Sequence, residues 1–270
     1  MKRYLLDCPV LNNDEVAAGQ FRMRLHGPEI AGNAIAGQFC MLQVAEGLYP
    51  FLRRPMCFER IFEDSFNILY KVEGEGTRLL SRMVPGQTVH VQGPLGNGFT
   101  LDGGFARHII VAGGIGVATF PALAEAIIKT LGVTPEVIIA ARTKDFILCD
   151  EDFRAMGCKV HIATDDGSAG EKMFASQMLL KLAPGPDSRV YACGPMVMMK
   201  TTADAAVSRG ADCHLSLEAQ MACGDGACLG CVVESTRETE GEKMVRVCLD
   251  GPVFDTRLID WKSHNYAAGV

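Results

Sequence analysis

The stretch Cys223-Gly224-Asp225-Gly226-Ala227-Cys228-Leu229-Gly230-Cys231 decides the fold prediction, together with Cys248 further along the chain. Its spacing is C-x4-C-x2-C, followed after sixteen residues by the fourth cysteine. This spacing is typical of four thiolates that hold two irons and two sulfides, with three ligands on one tight loop. The three glycines are expected to take positive φ and to bring backbone N–H groups close to sulfur. The sequence therefore predicts a 2Fe-2S cluster on these four cysteines.

Other uses of these cysteines compete with the cluster. Structural zinc usually lies between two short Cys-x2–4-Cys pairs, whereas this stretch contains one such pair and a wider gap. The pair Cys228 and Cys231 also has the spacing of a redox-active dithiol, but the βαβ pattern expected around such a pair is missing. A zinc-stabilised binding module without redox function, or a disulfide, remains the alternative. Colour separates the first of these from a cluster protein, because a zinc protein without flavin is colourless.

Composition and charge narrow the function classes. The chain has 270 residues, enough for two or three domains, and its 48% hydrophobic and 21% charged residues are ordinary for a soluble protein. A formal net charge of −6 argues against a nucleic-acid partner. Eleven cysteines without a secretory signal favour a reducing compartment, and the longest apolar run, residues 109–124, is too short to span a membrane. We expect a cytoplasmic protein that binds neither nucleic acid nor membrane.

Residues 1–100 are predicted to form an antiparallel β-barrel. Apolar stretches of strand length recur at residues 20–25, 39–44, 66–72 and 88–92. In the first stretch Phe21, Met23 and Leu25 alternate with polar residues, which is the pattern of a half-buried strand. One helix interrupts the strands, with Thr77 as its expected N-cap and a Pro-Gly pair at 85–86 as its end.

Two segments of this region have features of a phosphate site. Gly74-Glu75-Gly76-Thr77 places backbone N–H groups at the start of a helix, where anions bind well. Arg53 and Arg54 place two fixed cations at the edge of a strand. A plain capped turn and a solvated strand end are the alternatives, but the two segments together favour a bound pyrophosphate.

Residues 101–211 alternate between strand and helix patterns, which predicts a parallel doubly wound sheet with ligands at the carboxyl ends of its strands. Strands are expected at 107–112, 136–141, 159–163 and 189–193, and helices at 118–130, 174–182 and 196–209. Gly113-Gly114-Ile115-Gly116 follows the first strand as a dinucleotide fingerprint would, although Thr119 occupies the third glycine position. This glycine segment and Cys193-Gly194-Pro195-Met196, which lies at another strand end, together predict a site that binds pyrophosphate.

Residues 212–270 are the predicted cluster domain. Residues 244–249 alternate as a strand would, with Cys248 on the opposite side from Val245 and Val247. Such a strand would present a single thiolate to the three-cysteine loop.

Taken in order, these motifs resemble the ferredoxin-NADP reductase superfamily, and within it the family of electron-transfer subunits of class 1B dihydroorotate dehydrogenase. The resemblance runs nearly end to end. Its carriers are Leu52-Arg53-Arg54-Pro55, Val72-Glu73-Gly74-Glu75-Gly76-Thr77, Gly93-Pro94-Leu95-Gly96-Asn97-Gly98-Phe99, Gly113-Gly114-Ile115-Gly116, Cys193-Gly194-Pro195-Met196, the cysteine loop and Asp250-Gly251-Pro252-Val253-Phe254.

The resemblance implies a multidomain fold. An FAD-binding antiparallel β-barrel would span residues 1–100, an NAD-binding α/β doubly wound domain 101–211, and a small C-terminal 2Fe-2S cluster domain 212–270. The implied FAD contacts are Arg54, Pro55, Met56, Cys57, Leu69, Tyr70, Lys71, Gly76 and Thr77. The implied contacts of the nicotinamide nucleotide are Gly113, Gly114, Ile115, Gly116, Cys193, Gly194, Pro195 and Met196. The implied cluster ligands are Cys223, Cys228, Cys231 and Cys248.

One implied contact departs from the family pattern. The family usually has serine or threonine where this chain has Cys57, so a hydroxyl that hydrogen-bonds the flavin is replaced by a weaker donor. We expect FAD binding to survive, with an altered flavin potential or reactivity. The choice between NAD and NADP stays open, because Arg142 and Lys144 suit either a 2′-phosphate or ordinary surface charge.

The resemblance also implies the function. A nicotinamide moves two electrons as hydride, the cluster moves one at a time, and FAD exchanges both ways. The chain has no evident site for an organic substrate, and no catalytic residue is predicted. An FMN-containing partner subunit, in a heterotetramer of two plus two, would oxidise dihydroorotate in pyrimidine (UMP) biosynthesis and pass electrons through the cluster and FAD to NAD+.

Other subunits on the same scaffold are the rival interpretations. The first is the small subunit of an electron-bifurcating NADH-dependent ferredoxin-NADP reductase, whose first cluster ligand is an aspartate where this chain has Cys223. Subunits of sulfite reductase and hydrogenase share the flavin and nicotinamide domains and stay open as well.

Overall fold

The computed structural model describes residues 2–47, 49–236 and 243–262. The chain forms two compact units. The first unit contains Met1–Phe99, Glu218–Val232 and Arg246–Pro252, and the second contains Thr100–Leu217, Val233–Val245 and Val253–Val270. The three-domain division at residues 100 and 211 stays a prediction, and its last residues, 263–270, lie outside the described part of the chain.

The first unit is built on an antiparallel sheet. Its elements are β1 (Tyr4–Ala17), β2 (Gln20–His26), α1 (Pro28–Ala31), β3 (Phe39–Gln43), β4 (Arg54–Cys57), β5 (Arg60–Ile61), β6 (Ser65–Lys71), α2 (Glu75–Leu80) and β7 (Thr88–Leu95). The seven strands form one curled sheet in the order β4-β3-β7-β1-β2-β6-β5. The antiparallel β-fold predicted for this region is confirmed.

Alternation along β2 fills part of the core of this sheet. In β2, Met23 and Leu25 are fully buried, whereas Arg22 and Arg24 are only half-buried. Phe66 of β6 lies in the same buried cluster. Each fully buried aliphatic side chain contributes about 1.5–3 kcal/mol to stability. The sheet is therefore a well-packed base for the loops at its ends.

The helix predicted after Gly74 exists, but Thr77 is not its N-cap. Helix α2 begins at Glu75 and its N-cap is Gly74. The Thr77 hydroxyl instead accepts hydrogen bonds from the backbone N–H groups of Glu73 (2.9 Å) and Gly74 (3.2 Å). Because this threonine side chain points back toward the start of the helix from its third position, the helix begins three residues earlier than its sequence suggests.

The second unit is an α/β unit. Its elements, numbered on from the first unit, are β8 (Arg107–Gly113), α3 (Pro121–Leu131), β9 (Glu136–Ala141), α4 (Asp150–Ala155), β10 (Lys159–Thr164), β11 (Glu171–Lys172), α5 (Ala175–Lys181), β12 (Ser188–Cys193), α6 (Met196–Ser208) and β13 (Asp212–Ser216). Three strands follow in the chain: β14 (Val232–Glu234), β15 (Met244–Arg246) and β16 (Val253–Asp255). A seven-stranded sheet has the order β11-β10-β9-β8-β12-β13-β16, parallel except for β16, and β14 pairs with β15. This confirms the predicted doubly wound sheet.

The first predicted helix of this unit begins later than expected. Residues Gly114–Thr119 form a 3-10 helix, and α3 starts only at Pro121. Proline suits the first position of an α-helix because its missing N–H would have no partner there. The segment Gly114–Leu131 is long and apolar enough to resemble a membrane span, and 56% of it is buried inside the folded chain.

The strand predicted at residues 244–249 is wrong in its second half. Strand β15 ends at Arg246, and Cys248 lies in the turn that follows. The Asp250 carboxylate closes this turn by accepting hydrogen bonds from the backbone N–H (2.7 Å) and Nε (3.1 Å) of Arg246. A side chain that bonds the backbone four residues earlier favours a turn over a strand, despite the alternating pattern.

A buried polar network crosses the sheet of the second unit. His108 is only 2% exposed, and its Nδ1 lies 2.9 Å from the hydroxyl of Tyr191. Nearby, Nε of Arg189 donates to the Asp212 carboxylate at 2.7 Å. Burial lowers the pKa of His108, and the positive charge of Arg189 lowers it further. The folded chain therefore favours the neutral imidazole.

This network predicts a loss of stability in acid. The pKa of His108 in the unfolded chain is about 6.5, and in the folded chain it is lower. As pH falls through about 6.5 the unfolded chain takes up the proton first, so stability falls until the pKa of the folded chain is passed. In His108→Gln the slope of unfolding free energy between pH 7 and 5 is expected to be shallower, by at most about 1.4 kcal/mol per pH unit.

Urea unfolding followed by the fluorescence of Trp261, the single tryptophan, measures this slope in the second unit. Tyr191→Phe is the matched control, because it removes the hydroxyl next to His108 and keeps the titrating group. Equal slopes in the parent chain and in His108→Gln would show that His108 is not responsible.

Candidate iron-sulfur and nucleotide sites

The three-cysteine loop lies in the first unit, within Glu218–Val232. Gly224 and Gly226 have φ of +74° and +90°, as expected for residues that turn the backbone around a cluster. The expectation for Gly230 is wrong, because the left-handed position is taken by Leu229, with φ of +59°. Gly230 instead donates its backbone N–H to Sγ of Cys228 at 3.4 Å. The turn therefore still directs the backbone N–H of Gly230 at sulfur, but the positive φ lies one residue earlier than predicted.

Backbone N–H groups connect the predicted ligands to one another. The N–H of Cys228 donates to Sγ of Cys223 (3.5 Å), and the N–H of Cys248 donates to Sγ of Cys231 (3.4 Å). Besides burial, the nearby thiols of Cys231 and Cys223 raise the pKa of the Cys248 thiol. Cysteine sulfurs that accept backbone N–H bonds, as those of Cys223, Cys228 and Cys231 do, are the environment that iron–sulfur clusters require. The donor set fits a 2Fe-2S cluster.

The two sides of this centre differ in their electrostatics. Backbone N–H groups, that of Gly230 first, lower the pKa of the Cys228 thiol to about 7. Burial raises the pKa of the Cys248 thiol to about 12, and the neighbouring Cys231 thiol adds to the rise. Cys228 is exposed and Cys248 is buried. The centre thus has one exposed ligand, Cys228, one half-buried ligand, Cys223, and two buried ligands, Cys231 and Cys248.

The cysteine loop packs directly on the sheet of the first unit. A Cβ on Gly224 would lie 2.7 Å from Cγ of Met41 in β3 and 3.2 Å from Cδ1 of Leu95 in β7. A Cβ on Gly226 would lie 2.6 Å from Cδ2 of Leu249. Because real contacts are not this short, only glycine permits the loop to approach this closely. The backbone beside Cys223 is therefore held against the strands.

The two segments predicted to bind FAD phosphate also meet in this unit. A Cβ on Gly76 would lie 2.3 Å from Nε of Arg54, so the guanidinium of β4 lies against the start of α2. Arg54 also donates to the carbonyl of Leu52. The absence of a side chain at Gly76 creates the space that the cation occupies, and the pair suits the pyrophosphate of FAD.

The predicted FAD contacts in β6 divide between the two faces of the sheet. Tyr70 belongs to the core, with its hydroxyl donating to Oδ1 of Asn13 at 2.9 Å, and burial raises its pKa to about 12. Leu69, buried, and Lys71, exposed, alternate with it along β6. The remaining residues of β4, namely Pro55, Met56 and Cys57, are half-buried. The Tyr70 side chain is thus structural, and a contact of this residue with FAD would involve its backbone.

The predicted nucleotide-binding turns lie side by side in the second unit. A Cβ on Gly116 would lie 2.7 Å from the carbonyl carbon of Cys193 and from the N of Gly194. A Cβ on Gly113 would lie 2.4 Å from Sδ of Met198 and 3.0 Å from Cδ of Pro195. The glycines therefore let two backbone turns touch and leave a surface of backbone groups beside Gly114, Ile115 and Met196, which follow the same two strand ends.

The topology of the sheet marks this same place. From β8 the chain adds β9, β10 and β11 on one side, and then returns to place β12 and β13 on the other side of β8. The strand order therefore reverses between β8 and β12. In open α/β sheets ligands bind at such a switch point, beyond the carboxyl ends of the strands. The residues predicted from the glycine pattern are those at the switch point.

Comparison with known proteins identifies the family. Residues 218–260 match the iron-sulfur cluster binding domain of dihydroorotate dehydrogenase B, and residues 110–204 match the oxidoreductase NAD-binding domain. A dihydroorotate dehydrogenase B (NAD(+)) electron transfer subunit of Lysinibacillus sphaericus is 37% identical, over 91% of this chain and 94% of the relative. One from Desulforamulus reducens is 34% identical, over 96% and 99%. The chain belongs to this family.

A solved structure agrees with this membership. The structure of an NADH-dependent reduced ferredoxin-NADP oxidoreductase, studied for flavin-based electron bifurcation, has a TM-score of 0.82 and 28% identity over 94% of this chain and 90% of that one. The chain is thus an oxidoreductase electron-transfer subunit with flavin, nicotinamide and iron–sulfur domains. The matched domains account for an iron–sulfur cluster and NAD among its cofactors.

Two structural residues of the centre were not found from the sequence. Met41 supports Gly224 from a strand that is distant in the chain, and no local pattern indicates this contact. Asn97 donates to backbone carbonyls beside Cys248, and the sequence marks it only as part of a glycine-rich connection. A polar residue between two glycines, Gly96 and Gly98, was the available signal.

The nucleotide site predicts the effect of Gly116→Ala. The added methyl must displace the backbone of residues 193–194, because no flexible side chain can move away instead. Overpacking of this kind costs about 1–3 kcal/mol, so we expect NADH to bind about 10-fold or more weakly, with FAD and iron content unchanged. Isothermal titration with NADH measures the effect. Gly103→Ala, where a Cβ meets nothing within 4 Å, is the control in the same unit. Normal NADH affinity in Gly116→Ala would contradict the site.

The ligand set predicts the effect of Cys223→Ser. Loss of the first thiolate is expected to abolish the electron paramagnetic resonance signal of the reduced cluster, while FAD remains bound. Cys158→Ala, a buried cysteine of the second unit, is the control and should keep the signal. A parent-like signal from Cys223→Ser would refute this ligand.

Proposed function

We propose that this chain carries electrons from an FMN-containing catalytic subunit, which oxidises dihydroorotate, to NAD+. The observation that carries the proposal is the convergence of Cys223, Cys228, Cys231 and Cys248 on the same compact unit as the flavin sheet. When bound, the cluster supplies one-electron exchange, FAD exchanges one or two electrons, and NAD+ accepts hydride. The protein contributes position and electrostatics.

The proposal assigns a role to each group of residues. Four cysteines hold the cluster, and Arg54 with Gly76 and Thr77 holds the FAD pyrophosphate. The half-buried residues Pro55, Met56 and Cys57 of β4, with Leu69 and Lys71 and the backbone of Tyr70, line the flavin. The glycine turn Gly113–Gly116 and the residues Cys193–Met196 bind the nicotinamide nucleotide.

The partner is proposed to dock over the cluster loop. Leu229 lies between two predicted ligands and is 59% exposed, which is unusual for a large apolar side chain in a tight loop. An apolar contact at this position would cover the exposed Cys228 ligand in the complex.

We propose a heterotetramer of two chains of each kind, in the cytoplasm. No disulfide joins any of the eleven cysteines, all of which lie in the described residues, and a reducing compartment suits such a chain.

The second candidate function is that of a structurally similar protein. The NADH-dependent reduced ferredoxin-NADP oxidoreductase shares the fold at a TM-score of 0.82. A chain with that role would work with NADPH and ferredoxin rather than dihydroorotate. The first predicted ligand, Cys223, favours the dihydroorotate role. The bifurcating family has an aspartate at the position of this cysteine.

Co-expression with a candidate FMN subunit tests the proposal. The purified complex is expected to reduce NAD+ with dihydroorotate as the electron donor, at a rate that either subunit alone does not reach. The measurement is NADH absorbance under anaerobic conditions, and Cys223→Ser in the same complex should remove the activity while leaving flavin bound.

Two results would contradict the function in different ways. A stable complex with full cofactor content that does not reduce NAD+ would refute the dihydroorotate role. Reduction of NADP+ by NADH and reduced ferredoxin in place of that reaction would support the bifurcating role instead.

A further inference from the structure

Asn97 holds three successive carbonyl groups of the segment that carries the fourth cysteine. Its Nδ2 donates to the carbonyl oxygens of Leu249 (3.0 Å) and Asp250 (3.1 Å). Its backbone N–H donates to the carbonyl oxygen of Gly251 at 2.6 Å. Cys248 immediately precedes these three residues. One residue at the end of the flavin sheet thus fixes the backbone next to a predicted ligand.

The other side of this segment is fixed to the cysteine loop. Val247 donates its N–H to the carbonyl oxygen of Cys231 at 3.0 Å, and Cys248 donates its N–H to Sγ of Cys231 at 3.4 Å. The Asp250 carboxylate closes the turn around Cys248 by accepting hydrogen bonds from Arg246, which precedes Val247. The turn is therefore held at both ends, by the cysteine loop before Cys248 and by Asn97 after it.

The residues around Asn97 make a firm base for these bonds. The carbonyl of Gly96 accepts a hydrogen bond from Nε2 of Gln38, which is fully buried, at 2.7 Å. Gly96 has φ of +71°, and a Cβ there would lie 2.6 Å from Cδ of Pro252. The end of β7 thus has little freedom to move away from residues 249–252.

We propose that Asn97 is a positioning residue for the cluster: it sets where the Cys248 thiolate lies relative to the other three ligands. The inference rests on the proposed ligand set. Asn97 itself is exposed, so water can replace its amide as a donor, and its loss costs the fold little. Water does not hold the carbonyls of Leu249 and Asp250 in register as the single amide does, however, so the turn relaxes and the thiolate moves. Residues that orient metal ligands in this way typically change metal retention when they are replaced.

Asn97→Ala tests the inference without changing charge. We expect FAD content and melting temperature to stay close to those of the parent chain. Iron release to a chelator from the oxidised holoprotein is expected to become about 10-fold faster, and the g-values of the reduced cluster to shift. Asn33→Ala is the matched control, because Asn33 donates from Nδ2 to Tyr4 and Glu29 in the same unit and should leave both readouts unchanged.

A second variant separates the amide donors from side-chain volume. Asn97→Asp keeps the size of the side chain but has no N–H group, and it should also release iron faster than the parent. Parent-like iron release and g-values in both variants would overturn the inference. If Asn97→Ala does not accumulate as folded chain, Asn97→Asp alone decides the outcome by the same two readouts.

Cys248→Ser distinguishes this failure from a failure of the ligand set. If Cys248→Ser abolishes the cluster signal while both Asn97 variants behave as the parent, only the positioning role is refuted. If Cys248→Ser keeps the parent signal, the proposed ligand set is refuted as well.

Discussion

The contact between Gly224 and Met41 is the constraint on which the iron–sulfur centre depends. No side chain fits at Gly224, because its Cβ would lie 2.7 Å from Met41 and 3.2 Å from Leu95. The backbone beside the first predicted ligand therefore rests on β3 and β7 rather than extending into solvent. Met41 is the register partner of Pro55 in β4, the strand whose residues are predicted to contact the flavin. Close packing thus connects the cluster loop to the flavin strand through one intervening residue.

A second group of glycines does the same for the nucleotide. Gly113, Gly116 and Gly194 let the turns after β8 and β12 touch, at the point where the strand order reverses. In both places a missing side chain permits a close approach of backbones, and each approach occurs where a cofactor is predicted. Glycine is thus the residue type that shapes both sites, while cysteine and arginine supply the specific chemistry.

The chemistry of the site was easier to predict from the sequence than its local geometry. The spacing of the four cysteines selected residues that converge in the fold, and strand alternation such as that of Met23 and Leu25 predicted the first sheet. Three of the local expectations that were wrong are the strand at Cys248, the N-cap at Thr77 and the positive φ at Gly230. In each case a hydrogen bond to or from a side chain overrode the pattern, as the Asp250 carboxylate does at Arg246. The contacts of Met41 and Asn97 join distant parts of the chain, and no local signal encodes them.

The central claim is that cluster and flavin sheet belong to one unit, so that electrons pass between them within a single chain. Anaerobic stopped-flow mixing of the holoprotein with NADH tests it by following the bleaching of flavin and of cluster at separate wavelengths. We predict that cluster bleaching follows flavin bleaching at a rate that does not depend on protein concentration. A cluster rate that rises in proportion to protein concentration would mean that electrons pass between molecules, and it would contradict the account.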